Sequence, residues 1–146
     1  LKTLPQLKKK YIDTGKVQLE FIDYPLDRLA VIAATLARSI PTKDGYIEAV
    51  SILLKKQKQW AYSKNPLNEL QSIAKLFGIS SKKFNDISQN IPLMQEIVTK
   101  MEEESKNFDI NSTPTFIVND KYKISGALSF KDFEKELLRS INAKNS

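Results

Sequence analysis

The sequence contains neither cysteine nor histidine. Without Cys there is no disulfide, no thiolate nucleophile and no zinc–thiolate site. Without His the commonest metal ligand is gone, and with it the one side chain whose unperturbed pKa suits a general base near neutral pH. Most hydrolase, transferase and metalloenzyme mechanisms therefore lack an actor, and no metal or other cofactor is expected. A continuous apolar run of the roughly 20 residues that span a bilayer is also missing, so no transmembrane segment is expected. There is no basic stretch followed by an apolar one of the signal-peptide kind, and no initiator Met. A chain that opens at Leu1 reads as processed, trimmed or cut.

What is present suits one folded domain. The 146 residues are 41% hydrophobic and 27% charged, enough for one core and one surface. The net charge of +6 raises the question of a polyanionic partner. The lysines, however, are spread along the chain, with short runs at 8–10, 55–56 and 82–83. No Arg-rich stripe, aromatic RNA-binding pattern or helix-turn-helix signature accompanies them. They read as solvated helix faces, and nucleic acid is not an expected partner.

Periodicity orders the chain. Leu4, Leu7, Tyr11 and Ile12 share a helical face that Thr14-Gly15 ends. Residues 16–23 (KVQLEFID) alternate as a half-buried strand, with Val17, Leu19 and Phe21 on one side. Asp27 caps a helix carrying Leu29, Ile32, Ala33, Leu36 and Ile40. A third helix carries Ile47, Val50 and Leu54 and runs out near Trp60, a packing anchor. Asn65-Pro66 opens a helix bearing Leu67, Leu70, Ile73, Ala74 and Phe77, and Gly78 stops it. Ser80 opens a short helix with Phe84 and Ile87. From about Pro92 a long helix carries Met94, Ile97, Val98 and Met101 at core spacing, and Glu102, Glu103 and Glu104 read as its solvated end. Residues 115–119 (TFIVN) and 122–125 then read as a hairpin around Asn119-Asp120. Ser129 to Asp132 resembles a capping box before a last helix with Phe130, Phe133, Leu137, Leu138 and Ile141. The order gives an α/β framework interrupted by helices.

Three stretches resemble the DsbA-type branch of the thioredoxin superfamily. They are LPQLKKKYIDTGKVQLEFIDYPLD (4–27), LLKKQKQWA (53–61) with PLNELQSIAKLFGIS (66–80), and NSTPTFIVNDKYKISGALSFKDFEKEL (111–137). The resemblance implies a thioredoxin-like α/β fold, N-terminally incomplete and lacking its central strand. Residues 1–39 and 109–146 would form the thioredoxin-like part and 40–108 a helical insertion. Pro114 would be a cis proline and Thr113 the substrate-contacting residue before it. The catalytic Cys-x-x-Cys would fall upstream of Leu1, so the chain as given has no catalytic residue and should be inactive. Ser39 stands where many relatives carry an accessory Cys, and Glu20 or Asp23 would supply a carboxylate near the redox pair. The implied activity is disulfide-bond formation in exported proteins. Its partners would be reduced or unfolded exported substrates and a membrane redox partner, and its place the periplasm. Two alternatives stand beside it: a redox-inactive thioredoxin-fold binding or chaperone module, and a glutathione-conjugating or isomerase relative that uses a Ser.

Overall fold

The structure, a computed structural model, describes residues 2–143. The elements are α1 (Leu4–Leu7), continued by a π-helical turn (Lys8–Ile12), then α2 (Arg28–Arg38), α3 (Lys43–Lys55), α4 (Gln57–Ala61), α5 (Pro66–Lys75), α6 (Ser81–Ser88), α7 (Ile91–Phe108), β1 (Thr115–Val118), β2 (Tyr122–Ser125) and α8 (Phe130–Ala143). They form two compact units. One runs from the start of the described residues to Ile22 and resumes at Glu102; the other is Asp23–Met101. These boundaries differ from the expected 39/40 and 108/109, because α2 packs against α3, α5 and α6 and so belongs with the helices.

In the helical unit the helix starts are set by short polar side chains. The Asp27 carboxylate accepts from the Ala30 N–H at 2.8 Å, the Thr42 hydroxyl from Gly45 at 3.0 Å, and the Ser80 hydroxyl from Lys83 at 3.1 Å. Each satisfies an amide that the first helical turn would leave unpaired, typically contributing about 1 kcal/mol. Asn65 places Pro66 in the first turn of α5 but its side chain makes no cap bond. Leu36, Ala37, Thr35, Ala49, Leu70 and Ala74 are all but sealed from solvent. The small residues let α2 approach its neighbours closely, while each buried Leu contributes roughly 1.5–3 kcal/mol. Trp60 is buried and its Nε1–H donates to the Leu53 carbonyl at 2.8 Å, so α4 folds back on the end of α3. Leu54 and Leu67, expected on buried faces, are 52% and 46% exposed.

The other unit is built on the β1–β2 hairpin. Phe116 pairs with Ile124 and Val118 with Tyr122, in antiparallel register. Asn119 and Asp120 both have positive φ (53° and 57°), and the Lys121 N–H closes the turn on Val118 at 3.2 Å. Two successive left-handed residues match the twist of a hairpin, and Asn and Asp tolerate that conformation best among residues with a Cβ. Leu7, Tyr11, Ile124, Phe133 and Leu137 form the buried core, with the Phe116 and Phe133 rings edge to face at 4.7 Å. Leu138, assigned to this core from its spacing, is 41% exposed.

Residues 16–23 are the main correction. No strand forms there: among the described residues the sheet consists of β1 and β2 alone. The alternation itself persists, with Val17, Leu19 and Phe21 half-buried and Gln18, Glu20 and Ile22 exposed. Alternation encodes a buried side, whereas a strand also needs a ladder partner. The helix expected over residues 4–12 widens into its π turn, and Gly15 (φ +74°) reverses the chain so that the Lys16 and Val17 amides both donate to the Tyr11 carbonyl, at 2.9 and 3.0 Å.

Candidate functional site

The loop that leads from α7 into β1 holds the two residues expected to contact substrate. It is braced at several points. The Ile110 N–H donates to the Ser105 carbonyl at 3.0 Å, Lys123 Nζ to the Asp109 carbonyl at 2.8 Å, and the Thr115 hydroxyl to the Ser112 carbonyl at 2.6 Å. The Thr113–Pro114 peptide is cis. The Pro114 carbonyl accepts from the Gly126 N–H at 2.9 Å, which carries the hairpin ladder one step past Thr115–Ser125. Both Thr113 and Pro114 are exposed. The Thr113 N–H and C=O have no hydrogen-bond partner among the described residues. A rigid loop thus presents one backbone donor and one acceptor to solvent, and exposed backbone groups of this kind pair with an extended chain.

The start of α1 lies against the same region. Thr3, its N-cap residue, donates its hydroxyl to the Leu128 carbonyl at 3.3 Å. Leu128 follows Gly126 by two residues, so the hydrogen-bonded path from the α1 N-terminus to Pro114 is short. Further along, the Glu134 carboxylate accepts from the Tyr11 hydroxyl and pairs with Lys10, bracing the π turn against α8. These contacts hold the Glu134 carboxyl below its ordinary value, chiefly through Lys10 and then Tyr11. In return they raise the Lys10 ammonium and the Tyr11 phenol. Sequence reading missed this cluster, since its members are more than a hundred residues apart and no local pattern links them.

The two carboxylates suggested as neighbours of a redox pair fare differently. Glu20 is exposed. Asp23 is occupied: Arg38 Nε donates to its Oδ2 at 2.5 Å and the Tyr46 hydroxyl to its Oδ1 at 2.6 Å. The Arg38 guanidinium also stacks 4.1 Å above the Tyr46 ring. Burial first, and Asp23 second, push the Tyr46 phenol far up. Asp23 is therefore a structural clamp within the helical unit rather than a waiting proton acceptor. Ser39, named as the stand-in for an accessory thiol, is engaged with its own helix. The Ser39 hydroxyl, at the C-cap of α2, donates to the Thr35 carbonyl at 2.7 Å. Ser39 and Ser80 line a cavity of about 580 Å³ with Lys82, Lys83, Asp86, Ile87, Asn90 and Leu93, and the Ser80 hydroxyl is engaged as the cap of α6. Among the described residues no group of carboxylates is arranged to hold a metal, and no helix is long and apolar enough to cross a membrane.

Comparison with known proteins places this geometry in context. The family model described as Thioredoxin matches residues 1–138. A Rickettsia typhi protein named as a protein-disulfide oxidoreductase is 30% identical over 115 residues, covering 79% of this chain and 43% of its own length. The thiol:disulfide interchange protein DsbA of Buchnera aphidicola is 25% identical over 117 residues, 80% of this chain and 53% of its own. The chain thus spans less than half the length of the rickettsial relative it matches. The crystal structure of Wolbachia pipientis α-DsbA1 superposes with a TM-score of 0.81 at 26% identity, over 93% of this chain and 74% of that one.

Proposed function

The chain belongs to the thioredoxin family, in its DsbA-like branch, and we propose on that footing that it is the substrate-holding part of a protein thiol:disulfide oxidoreductase. The observation that carries this reading is the braced, exposed Thr113–Pro114 loop, with the Thr113 N–H and C=O free of partners among the described residues and the start of α1 close by. An extended substrate segment would pair with those backbone groups as an added strand. The redox pair itself is not among the 146 residues. We place it, as a Cys-x-x-Cys, ahead of Leu1 on the helix that α1 continues. There unpaired helix N–H groups would lower the pKa of the enzyme thiol and make its thiolate a better leaving group.

The reaction then follows ordinary thiol–disulfide exchange. A substrate thiolate attacks one sulfur of the enzyme disulfide, forming a mixed disulfide and releasing the second enzyme sulfur as a thiolate. A second substrate thiolate attacks the mixed disulfide, so that the substrate leaves oxidised and the enzyme dithiol reduced. A membrane redox partner would accept the two electrons and restore the enzyme disulfide. The substrates would be reduced or unfolded exported proteins in the periplasm. Thr113 and Pro114 would hold the substrate backbone while the sulfurs align.

A second reading uses the same loop without chemistry, as a binding or chaperone module. Intact mass of the protein expressed from its natural gene, before and after alkylation under reducing conditions, separates them. Addition of two alkyl groups is the expected result. A natural product that takes up none would overturn the redox mechanism and leave the binding module.

A further inference from the structure

A local concentration of unopposed charge lies on the helical unit, at the corner made by the end of α3, α4 and the start of α5. Residues 49–68 contain no Asp or Glu, and Lys55, Lys56, Lys58 and Lys64 are all exposed. No ion pair involves them among the described residues. Interspersed with these lysines along the chain are three apolar side chains that the fold leaves in water: Leu54, Leu67 and Tyr62, the last 84% exposed. The corner is rigid. Trp60 holds α4 to α3 through the Leu53 carbonyl, and Gln59 Nε2 donates to Glu69 Oε2 at 2.7 Å, holding α4 to α5. The acids that flank this stretch in sequence are Glu69 on α5 and, earlier on α3, Glu48 and Asp44.

We propose that this corner seats on an anionic phospholipid surface. Leu54, Tyr62 and Leu67 would enter the headgroup region, and the four lysines would lie along the lipid phosphates. The composition favours this occupant. Lysine is a compact, mobile point charge suited to a diffuse anionic plane, whereas planar bidentate recognition of a phosphate or carboxylate uses Arg, which the corner lacks. The apolar side chains need a medium that buries them, which a bilayer interface supplies and a nucleic-acid backbone does not. Tyr presents an apolar ring and a polar tip, the combination enriched at membrane interfaces.

Co-sedimentation with vesicles tests it. The protein should sediment with phosphatidylglycerol-containing vesicles, remain in solution with phosphatidylcholine alone, and be released by high salt. Combining Lys55→Gln, Lys56→Gln, Lys58→Gln and Lys64→Gln should weaken binding at least about tenfold. An equally charged control combining Lys75→Gln, Lys82→Gln, Lys83→Gln and Lys106→Gln should keep most of it. Tyr62→Ser, at a site with almost no packing to lose, should weaken binding several-fold, with an unchanged circular dichroism spectrum. No sedimentation with anionic vesicles would overturn the proposal. So would equal losses in the two quadruple variants, since net charge alone would then be responsible. Retention of an acidic polypeptide or RNA through these lysines, with vesicle binding unaffected by their removal, would also overturn it.

Discussion

Gly45 sits in the first turn of α3, where Gly is ordinarily a poor helix residue. Replacing it by Ala should gain about 1 kcal/mol from propensity alone. Here the added Cβ would lie 2.6 Å from Ile40 Cγ2 and 2.7 Å from Thr42 Oγ1, inside contact distance of both. The Thr42 hydroxyl is also the helix cap. Overpacking of this kind costs about 1–3 kcal/mol, so Gly45→Ala should lower stability in urea titration, the reverse of the propensity effect. Tyr46→Phe should likewise destabilise, by about 1–3 kcal/mol, because Asp23 Oδ1 loses its donor at a nearly enclosed site. The Glu134 cluster contributes a pH dependence of its own. Its carboxyl lies below the ordinary value of 4.5 when folded and returns to it when unfolded. The stabilisation is therefore complete above that value and is lost as pH falls through the folded one. Thermal melts should show a smaller loss of Tm between pH of about 6 and about 3 in Glu134→Gln than in the parent protein.

Among the elements, legibility followed whether a signal was local. Asp27 and Ser80 announced α2 and α6 because a cap acts within three residues, and their side-chain bonds to Ala30 and Lys83 are present. The hairpin was legible from Asn119-Asp120 for the same reason. Replacing Asn119 with Val should cost about 1–2 kcal/mol, since its φ of 53° is one that a β-branched residue resists. Loss of Tm with the hairpin otherwise intact would show this. Non-local features were not legible. The alternation of residues 16–23 located a half-buried side correctly but carried no information about a ladder. Helical spacing put Leu54, Leu67 and Leu138 inward, although position relative to neighbouring helices leaves them in solvent. Of the candidate site, Thr113 and Pro114 were named through family resemblance. Their bracing by Ser105, Asp109 and Gly126 depends on contacts that only the folded chain brings together.

At the scale of the molecule, the α/β thioredoxin-like reading agrees with the family match and with the Wolbachia α-DsbA1 superposition. Function, on our proposal, rests on the loop before β1 holding an extended polypeptide through Thr113. This is open to test on this chain without any cysteine. Backbone amide shifts of the isotopically labelled protein, titrated with an unstructured peptide free of Cys, address it most directly. The largest shifts are expected at Thr113, Thr115 and Gly126, saturating together. Shifts absent from these residues while another surface responds would contradict it.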